Sequence, residues 1–173
     1  MVDSLEKAQH LFTYEGHPPS CAVTKKVLEI VEQEKLMENA LTIGKLLGSE
    51  LKRLKNCDVV NDFRGIGLML GLEVFSENLA GIAGMRCIEY GLYPGYYGKY
   101  NEVIRLQPPL TLTKDEALWA AKIIKKVIYE MENNEIPKST IEKYKKYSCG
   151  SICSKCSLNS GFEEALVKHH VTD

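Results

Sequence analysis

Apolar residues recur every three or four positions through the first third of the chain, which is the spacing of one face of an α-helix. The pattern predicts a helix from Ser20 to Glu34, with apolar positions at Val23, Val27, Leu28, Ile30 and Val31. It predicts a second helical stretch, with apolar positions at Leu36, Ala40, Ile43, Leu47, Leu51 and Leu54. Pro18 and Pro19 favour a helix start, and "EQEK" between the two stretches predicts a bend.

The pattern changes at "CDVVNDFRGIGLMLGLEV", where apolar residues are β-branched or alternate and glycines interrupt them. Residues 58–63 and 67–75 are predicted to form two strands separated by a turn at Arg64 and Gly65. "LYPGYYG" predicts a short strand and a loop. "VIRLQPPL" predicts a strand that ends at its two prolines, because proline cannot donate a hydrogen bond to a strand ladder.

Two more helices complete the pattern. "LAGIAGMRCIEYG" predicts a helix that stops at Gly91, a residue suited to the left-handed backbone after a helix end. Thr113 and Glu116 have the spacing of a capping box and precede an amphipathic helix. Beyond Pro137 the chain is rich in lysine and then in cysteine, with little apolar periodicity, and is predicted to be a tail. The order of elements predicts an α/β layer, a sheet with helices on one face.

Composition narrows the function. The chain has 173 residues, room for one domain and a tail. Its net charge is −1, so no general electrostatic attraction to nucleic acid or an anionic membrane is expected. No apolar run approaches the roughly 18–20 residues of a membrane span, and no signal peptide is predicted, which favours the cytoplasm. In that compartment the scattered Cys21, Cys57 and Cys87 are predicted to be buried thiols.

Three stretches together resemble the class III pyridoxal-phosphate-dependent aminotransferases. They are "TYEGHPPSCAV", "DFRGIGLMLGLEV" and "VIRLQPPLTLTKDE", in the family's order and spacing, and the resemblance covers about residues 1 to 133. It implies the small C-terminal α/β domain of the fold type I aminotransferases, preceded by a long connecting helix. Residues 1–35 would then be the end of the large cofactor domain and the connecting helix, residues 36–135 the small domain, and residues 136–173 the tail, for which disorder is an expectation.

The resemblance also implies a chemistry. Pyridoxal phosphate acts as an electron sink, and the protein must hold its phosphate and the carboxylate of the substrate. In the family, the threonine that matches Thr13 contacts the cofactor phosphate bound by the neighbouring subunit, so a homodimer is implied. A hydroxyl group suits a phosphate oxygen. Without the resemblance, Thr13 would be interpreted as an ordinary loop residue.

Arg105 is the candidate for binding the substrate. It lies among Val103, Ile104 and Leu106, and a lone buried guanidinium is costly. Its planar fork suits bidentate binding of a carboxylate, and the matching arginine of the family binds the carboxylate of the amino acid. The alternatives are an arginine exposed at a strand edge and an internal salt bridge. Arg64, in contrast, is expected to have a structural role.

Two residues of the first stretch depart from the family. Phe12 replaces a small polar residue that can contact the substrate, and His17 replaces an asparagine before the proline. Phe12 leaves the substrate unassigned among acidic, ω-amino and acetylated ornithine-type compounds. A loop histidine is more often an ordinary hydrogen-bonding or exposed group than a ligand or base, and His17 is interpreted in that way.

The lysine that forms the imine, the acid against the pyridine nitrogen and the ring-stacking aromatic lie before the threonine loop in the family. Lys7 is the only lysine before Thr13, and its surroundings do not resemble the family's lysine motif. The chain is therefore expected to be the C-terminal portion, with no catalytic residue of its own and no activity alone. It would transfer an amino group from an amine or amino acid to a 2-oxo acid once a large domain is supplied. The alternative is an inactive remnant that acts through association.

The cysteines of the tail, Cys149, Cys153 and Cys156, have C-x3-C-x2-C spacing. That is the spacing of radical S-adenosylmethionine enzymes, an interpretation rejected because too little chain follows to build a barrel. Zinc held with His169 and His170 is the alternative for a metal-binding tail. A tail with accidental cysteines is preferred, and no metal site is predicted.

Overall fold

The computed structural model describes residue 13 and residues 16–75, 77–97 and 102–147, without the side chains of residues 77, 78 and 147. The α-helices are α1 Pro18–Gln33, α2 Leu36–Leu51, α3 Glu77–Glu89, α4 Lys114–Glu132 and α5 Lys138–Tyr147, and Lys52–Asn56 forms a 3-10 helix. The strands are β1 Val60–Ile66, β2 Met69–Val74, β3 Gly95–Tyr97 and β4 Val103–Leu106. The described residues divide into two compact units, with the boundary between residues 37 and 38. Within the described ranges, no helix is long and apolar enough to cross a membrane.

The first unit contains α1, which starts two residues before the predicted Ser20. Two prolines occupy its first positions, where a missing N–H costs nothing. His17 is the N-cap, and its Nδ1 lies 2.9 Å from the hydroxyl of Ser20. Lys35 adopts a φ of 51°, which confirms the predicted bend. None of the residues of α1 is buried, so its packing against another domain or subunit stays a prediction.

The second unit is built on an antiparallel sheet with the strand order β1-β2-β4-β3. Alternate residues of its two central strands point into the core and are buried: Leu70, Leu72, Val74, Ile104 and Leu106. The core continues into α3 and α4, where Leu79, Ile82, Ile124 and Ile128 are buried. The predicted sheet with helices on one face is confirmed. The opposite face carries Arg64, Gly71 and Arg105 in one row across the strands.

The turn between the first two strands is not where the sequence pattern places it. The predicted turn at Arg64 and Gly65 is wrong, because both residues belong to β1. Ile66 pairs with Met69, so the turn consists of residues 67 and 68. Gly67 supplies the left-handed backbone that this tight turn needs, with a φ of 54°. The sequence offers two candidate glycines, and only the register of the strands selects the second.

Helix α2 packs closely against this turn. A Cβ atom on Gly44 would lie 2.0 Å from the carbonyl oxygen of Gly67. Ala40, one turn earlier in α2, is also near this turn, because a Cβ atom on Gly67 would lie 3.7 Å from the carbonyl oxygen of Ala40. The glycines of the "RGIG" stretch and of α2 therefore allow two backbones to approach each other. The expectation of a structural role for this stretch agrees with the packing.

Helix α4 begins where its sequence predicts. The side chain of Thr113 accepts a hydrogen bond from the backbone N–H of Glu116, and the carboxylate of Glu116 accepts one from the backbone N–H of Thr113. Both halves of the predicted capping box are thus confirmed. The predicted end of α3 is confirmed too, since Gly91 follows it with a φ of 87°.

Residues 138–147 differ from the predicted tail, because they form helix α5. Thr140 and Tyr144 lie one turn apart on its inner face and are buried, with 0% and 9% of their surface exposed. Ile136, just before the helix, is also buried. Only a few of the residues in this lysine-rich helix are apolar, which is why it was predicted to be part of a tail. The remaining residues of the predicted tail, 148–173, lie outside the described part of the chain.

A network of charged groups joins α5 to α3 and α4. Arg86 donates to Glu130 at 2.7 Å and to Glu89 at 2.9 Å. Glu89 also accepts hydrogen bonds from the hydroxyl of Thr140 at 2.7 Å and from Lys143 at 2.6 Å. Burial alone would raise the pKa of Glu89, but hydrogen bonds from Lys143, Arg86 and Thr140 outweigh it and lower the pKa to about 2.

This network predicts a specific loss of stability in acid. Because the pKa of Glu89 is lowered on folding, its contribution to the free energy of unfolding is fully present above the ordinary value of 4.5. The contribution is lost as the pH falls towards 2. Urea unfolding at pH 6 and pH 3 measures how far the free energy of unfolding decreases in acid. We expect this decrease to be about 1–2 kcal/mol smaller in Glu89→Gln than in the parent chain. An equal decrease in the free energy of unfolding in both proteins would contradict the lowered pKa assigned to Glu89.

Candidate substrate-binding site

The second unit contains a cavity of about 780 Å³. It lies beside β3 and β4, the loop that follows β4, and the first half of α4. Its walls are mainly apolar and aromatic, and they include Leu92, Tyr96, Leu106, Pro108, Leu112 and Trp119. Two charged side chains, those of Arg105 and Glu116, also line it. An apolar cavity with a few polar groups is the usual form of a small-molecule site.

Arg105 is held on the side of β4 that faces away from the core. Its neighbours Ile104 and Leu106 are buried, while Arg105 is half-buried. Its guanidinium carbon lies 3.6 Å from the centre of the Tyr97 ring. Among the described residues, no carboxylate forms an ion pair with Arg105. The alternative of an internal salt bridge thus finds no support in this part of the chain.

The alternative of an arginine at the edge of the sheet is wrong. Strand β4 lies between β2 and β3. Arg105 pairs with Gly71 on one side and with Gly95 on the other. Its position is therefore inside the sheet, and its side chain lies at the cavity rather than beyond an outer strand.

Glu116 is already engaged at the start of α4. Its carboxylate accepts hydrogen bonds from the hydroxyl and the backbone N–H of Thr113, at 2.7 and 2.9 Å. The side-chain hydrogen bond from Thr113 is the main reason that the pKa of Glu116 is lowered. Glu116 is thus committed to the helix cap. Arg105 is the charged group of the described cavity lining whose hydrogen-bond donors are available to a ligand.

Thr13 belongs to the first unit and Arg105 to the second. It is an exposed turn residue, so its hydroxyl is accessible to a ligand. Phe12 lies outside the described residues. His17 is exposed at the start of α1 and contacts Ser20, which agrees with its interpretation as an ordinary hydrogen-bonding residue.

Arg64 forms ion pairs with Glu73 and with Asp62. It does not line the cavity. Both carboxylates lie on the same β1–β2 hairpin as Arg64, so its charge is balanced locally. This pairing gives Arg64 a structural role within the hairpin, although in strand β1 and not at the predicted turn.

The scattered cysteines divide into two groups. Cys57 and Cys87 are buried as predicted, and burial raises the pKa of Cys87 to about 12. The prediction for Cys21 is wrong, because it is exposed on α1, where no residue is buried. In the described residues no group of three potential ligands could hold a metal. Cys149, Cys153, Cys156, His169 and His170 lie outside them.

Sequence reasoning did not single out the aromatic residues around Arg105. Tyr97 stacks on the guanidinium, and Trp119 forms part of the cavity wall. The aromatic-rich "LYPGYYG" segment contained a signal, since three tyrosines precede the strand of Arg105 within a short stretch. Which of them faces the arginine depends on the register of β3 and β4.

Comparison with known proteins identifies the family of this chain. The model of the family "Aminotransferase class-III" matches residues 1–128. An alanine/serine racemase from Pyrococcus horikoshii is 35% identical over 138 residues, which are 76% of this chain and 29% of the racemase. An ornithine aminotransferase from Bacillus cereus is 34% identical over 129 residues, which are 71% of this chain and 30% of the enzyme.

The solved structures agree with the sequence relatives. An acetylornithine aminotransferase from Elizabethkingia anophelis is similar with a TM-score of 0.64 and 33% identity, over 75% of this chain and 34% of that one. An ornithine δ-aminotransferase from Plasmodium falciparum also has a TM-score of 0.64, with 30% identity over 75% of this chain and 32% of that one.

The chain belongs to the class III aminotransferase family, and its mixed α/β structure matches these fold type I neighbours. The family depends on pyridoxal phosphate. The chain spans about 30% of the length of the curated relatives it matches. The donors fit that cofactor chemistry, because Thr13 offers an exposed hydroxyl and Arg105 a guanidinium at a cavity, without an ion-pair partner among the described residues.

Proposed function

We propose that this chain is the C-terminal part of a pyridoxal-phosphate-dependent aminotransferase that moves an amino group from an amine or amino acid to a 2-oxo acid. The observation that carries the proposal is Arg105. It is a half-buried arginine at a cavity, without a carboxylate partner among the described residues. In this proposal its ligand is the carboxylate of the substrate.

The surroundings of Arg105 favour a carboxylate over a neutral ligand. A guanidinium presents parallel N–H donors that match the two oxygens of a carboxylate. The walls of the cavity are mostly apolar, and an ion pair gains strength where water is partly excluded. Both oxygens of a ligand carboxylate can therefore be bound, with the apolar part of the ligand against Tyr96, Pro108 or Trp119.

Thr13 is assigned to the cofactor. Its exposed hydroxyl would donate a hydrogen bond to the phosphate group of pyridoxal phosphate held by the neighbouring subunit, so a homodimer is part of the proposal. When bound, the cofactor supplies the electron sink of the reaction. The chain contributes phosphate and carboxylate contacts, and the imine lysine is assigned to the large domain of the family. Activity that appears once a large domain of the family is supplied would distinguish this proposal from a remnant that acts only through association.

Racemisation of an amino acid is a second candidate, favoured by the 35% identity to the alanine/serine racemase. Both reactions need a carboxylate contact of the kind assigned to Arg105. They differ in the need for an amino acceptor. Consumption of a 2-oxo acid by the complete enzyme would support transfer, and loss of optical activity without an acceptor would support racemisation.

The role of Arg105 predicts a difference between two matched ligands. L-Ornithine and 1,4-diaminobutane share two amino groups and the same carbon spacing, but only L-ornithine has a carboxylate. We expect calorimetric titration of the chain to show tighter binding of L-ornithine, because the carboxylate forms charge-assisted hydrogen bonds with Arg105. Arg105→Ala should weaken L-ornithine binding about 10- to 100-fold, and Arg105→Lys should restore only part of it because lysine lacks the fork.

Arg53→Ala is the matched control. Arg53 is exposed, lies in the 3-10 helix and does not line the cavity. Its removal changes the net charge by the same amount as Arg105→Ala and should leave L-ornithine binding unchanged. Equal affinity for the two ligands in the parent chain, or an equal loss in both variants, would contradict the assignment of Arg105.

A further inference from the structure

Arg105 is flanked by glycine on both sides of its strand. Gly71 of β2 and Gly95 of β3 are its directly paired neighbours. Paired residues in antiparallel strands place their side chains on the same face. Neither glycine places a side chain next to Arg105, and the position over Gly71 is covered by Val103, whose Cγ1 atom would lie 3.0 Å from a Cβ atom there. On the side of Gly95, the missing side chain leaves room for a neighbouring one.

The ring of Tyr97, which belongs to the same strand as Gly95, occupies this room. A Cβ atom on Gly95 would lie 2.9 Å from the Cε2 atom of Tyr97 and 3.5 Å from the Nε atom of Arg105. The ring and the arginine side chain therefore share the space above Gly95. Within that space the guanidinium stacks on the ring, at 3.6 Å from its centre, a favourable cation–π contact.

We propose that Tyr97 is a positioning residue for Arg105 and that Gly95 provides the space for it. The inference deepens the proposed function and rests on it. Stacking covers one flat face of the guanidinium, whereas a carboxylate binds at its N–H edge. The ring thus fixes the plane of the fork and leaves the edge open to the ligand.

A fixed fork improves binding because less side-chain freedom is lost when the ligand binds. Arginine has many rotamers, and ordering them at the moment of binding weakens affinity. The stack orders the side chain beforehand. The phenol hydroxyl of Tyr97 has no part in this argument, so phenylalanine should replace tyrosine and leucine should not.

Nuclear magnetic resonance on the full chain tests both parts of the inference. The side-chain Nε–H resonance of Arg105, assigned from its loss in Arg105→Lys, is expected to be shifted upfield by the ring of Tyr97. Tyr97→Phe should keep this shift, and Tyr97→Leu should remove it. Arg86, which lies over the ring of Tyr90 at 4.4 Å, is an internal control that should not change.

Titration with L-ornithine then measures the consequence. We expect Tyr97→Leu to weaken binding at the Arg105 resonance about three- to tenfold and Tyr97→Phe to preserve it. Gly95→Ala should resemble Tyr97→Leu, since the added methyl group would displace the ring. Thermal unfolding of each variant shows whether the fold is retained. Tyr97→Phe keeps the aromatic ring, so it separates the effect of losing the ring from that of losing the hydroxyl.

Three outcomes separate the inference from the function on which it rests. The expected pattern in both the shift and the affinity supports the inference. Equal affinity of Tyr97→Leu and the parent chain for L-ornithine would overturn it and leave the carboxylate role of Arg105 intact. If L-ornithine does not perturb the Arg105 resonance in the parent chain, the proposed role of Arg105 and the inference fail together.

Discussion

Arg86→Leu is expected to lower the free energy of unfolding by about 3 kcal/mol. The side chains of Arg86 and Glu130 are only 17% and 11% exposed, and they meet at 2.7 Å. Arg86 also pairs with Glu89. Leucine would leave two poorly solvated carboxylates without this partner, and an uncompensated buried charge is strongly destabilising. Urea unfolding at pH 7 measures the loss.

The control for this variant is Lys125→Leu. Lys125 pairs with Glu50 at 2.6 Å, but both side chains are about one-third exposed. Water solvates the remaining carboxylate, so the free energy of unfolding should change little. If Arg86→Leu lowered the free energy of unfolding no more than Lys125→Leu does, the charged network between α3, α4 and α5 would not contribute to stability as proposed.

Gly44→Ala is expected to destabilise the chain by about 2–3 kcal/mol. The added methyl group would lie 2.0 Å from the carbonyl oxygen of Gly67 and 2.7 Å from its Cα atom. These are backbone atoms in a tight turn, so they cannot move aside as a flexible side chain does. Helix α2 and the β1–β2 hairpin would have to separate. Thermal or urea unfolding measures the effect.

Gly48 provides a control one turn along the same helix. A Cβ atom there would meet only the ring of Phe63, at 3.8 Å, an ordinary contact distance. Alanine is a better helix former than glycine by about 1 kcal/mol. Gly48→Ala should therefore be neutral or stabilising. A similar loss in both variants would show that helix α2 does not require the close approach to Gly67.

The sequence predicts most of the fold where local chemistry decides it. Thr113 and Glu116 specify the start of α4, and Gly91 specifies the end of α3. Each of these signals acts within a few residues of the chain. The hairpin turn was misplaced because Gly65 and Gly67 are equivalent in the sequence. Pairing of Ile66 with Met69 distinguishes them, and that pairing depends on the neighbouring strand.

Helix α5 is a second element whose packing depends on residues distant in the sequence. Its lysines suggest a solvated segment, yet Thr140 and Tyr144 are buried. The partner of Thr140 is Glu89, 51 residues earlier in the chain. A partner so distant in sequence cannot be identified from the residues of α5 themselves, and the few apolar residues of this helix made a solvated tail the simpler prediction.

The candidate site was predictable only in part. Arg105 could be identified from its motif and from its place among apolar residues of a strand. The environment of Arg105 could not, because the position of Tyr97 beside it depends on the pairing of β3 with β4. The absence of a carboxylate partner among the described residues is likewise a property of three-dimensional packing.

A crystal structure of the chain with the reduced, stable adduct of pyridoxal phosphate and L-ornithine would test the central claim most directly. The account predicts that the carboxylate of the adduct lies at the N–H edge of Arg105, with both oxygens about 2.7–2.9 Å from guanidinium nitrogens. The guanidinium should remain stacked on Tyr97. An adduct whose carboxylate is bound elsewhere, with Arg105 making no contact to it, would contradict the account.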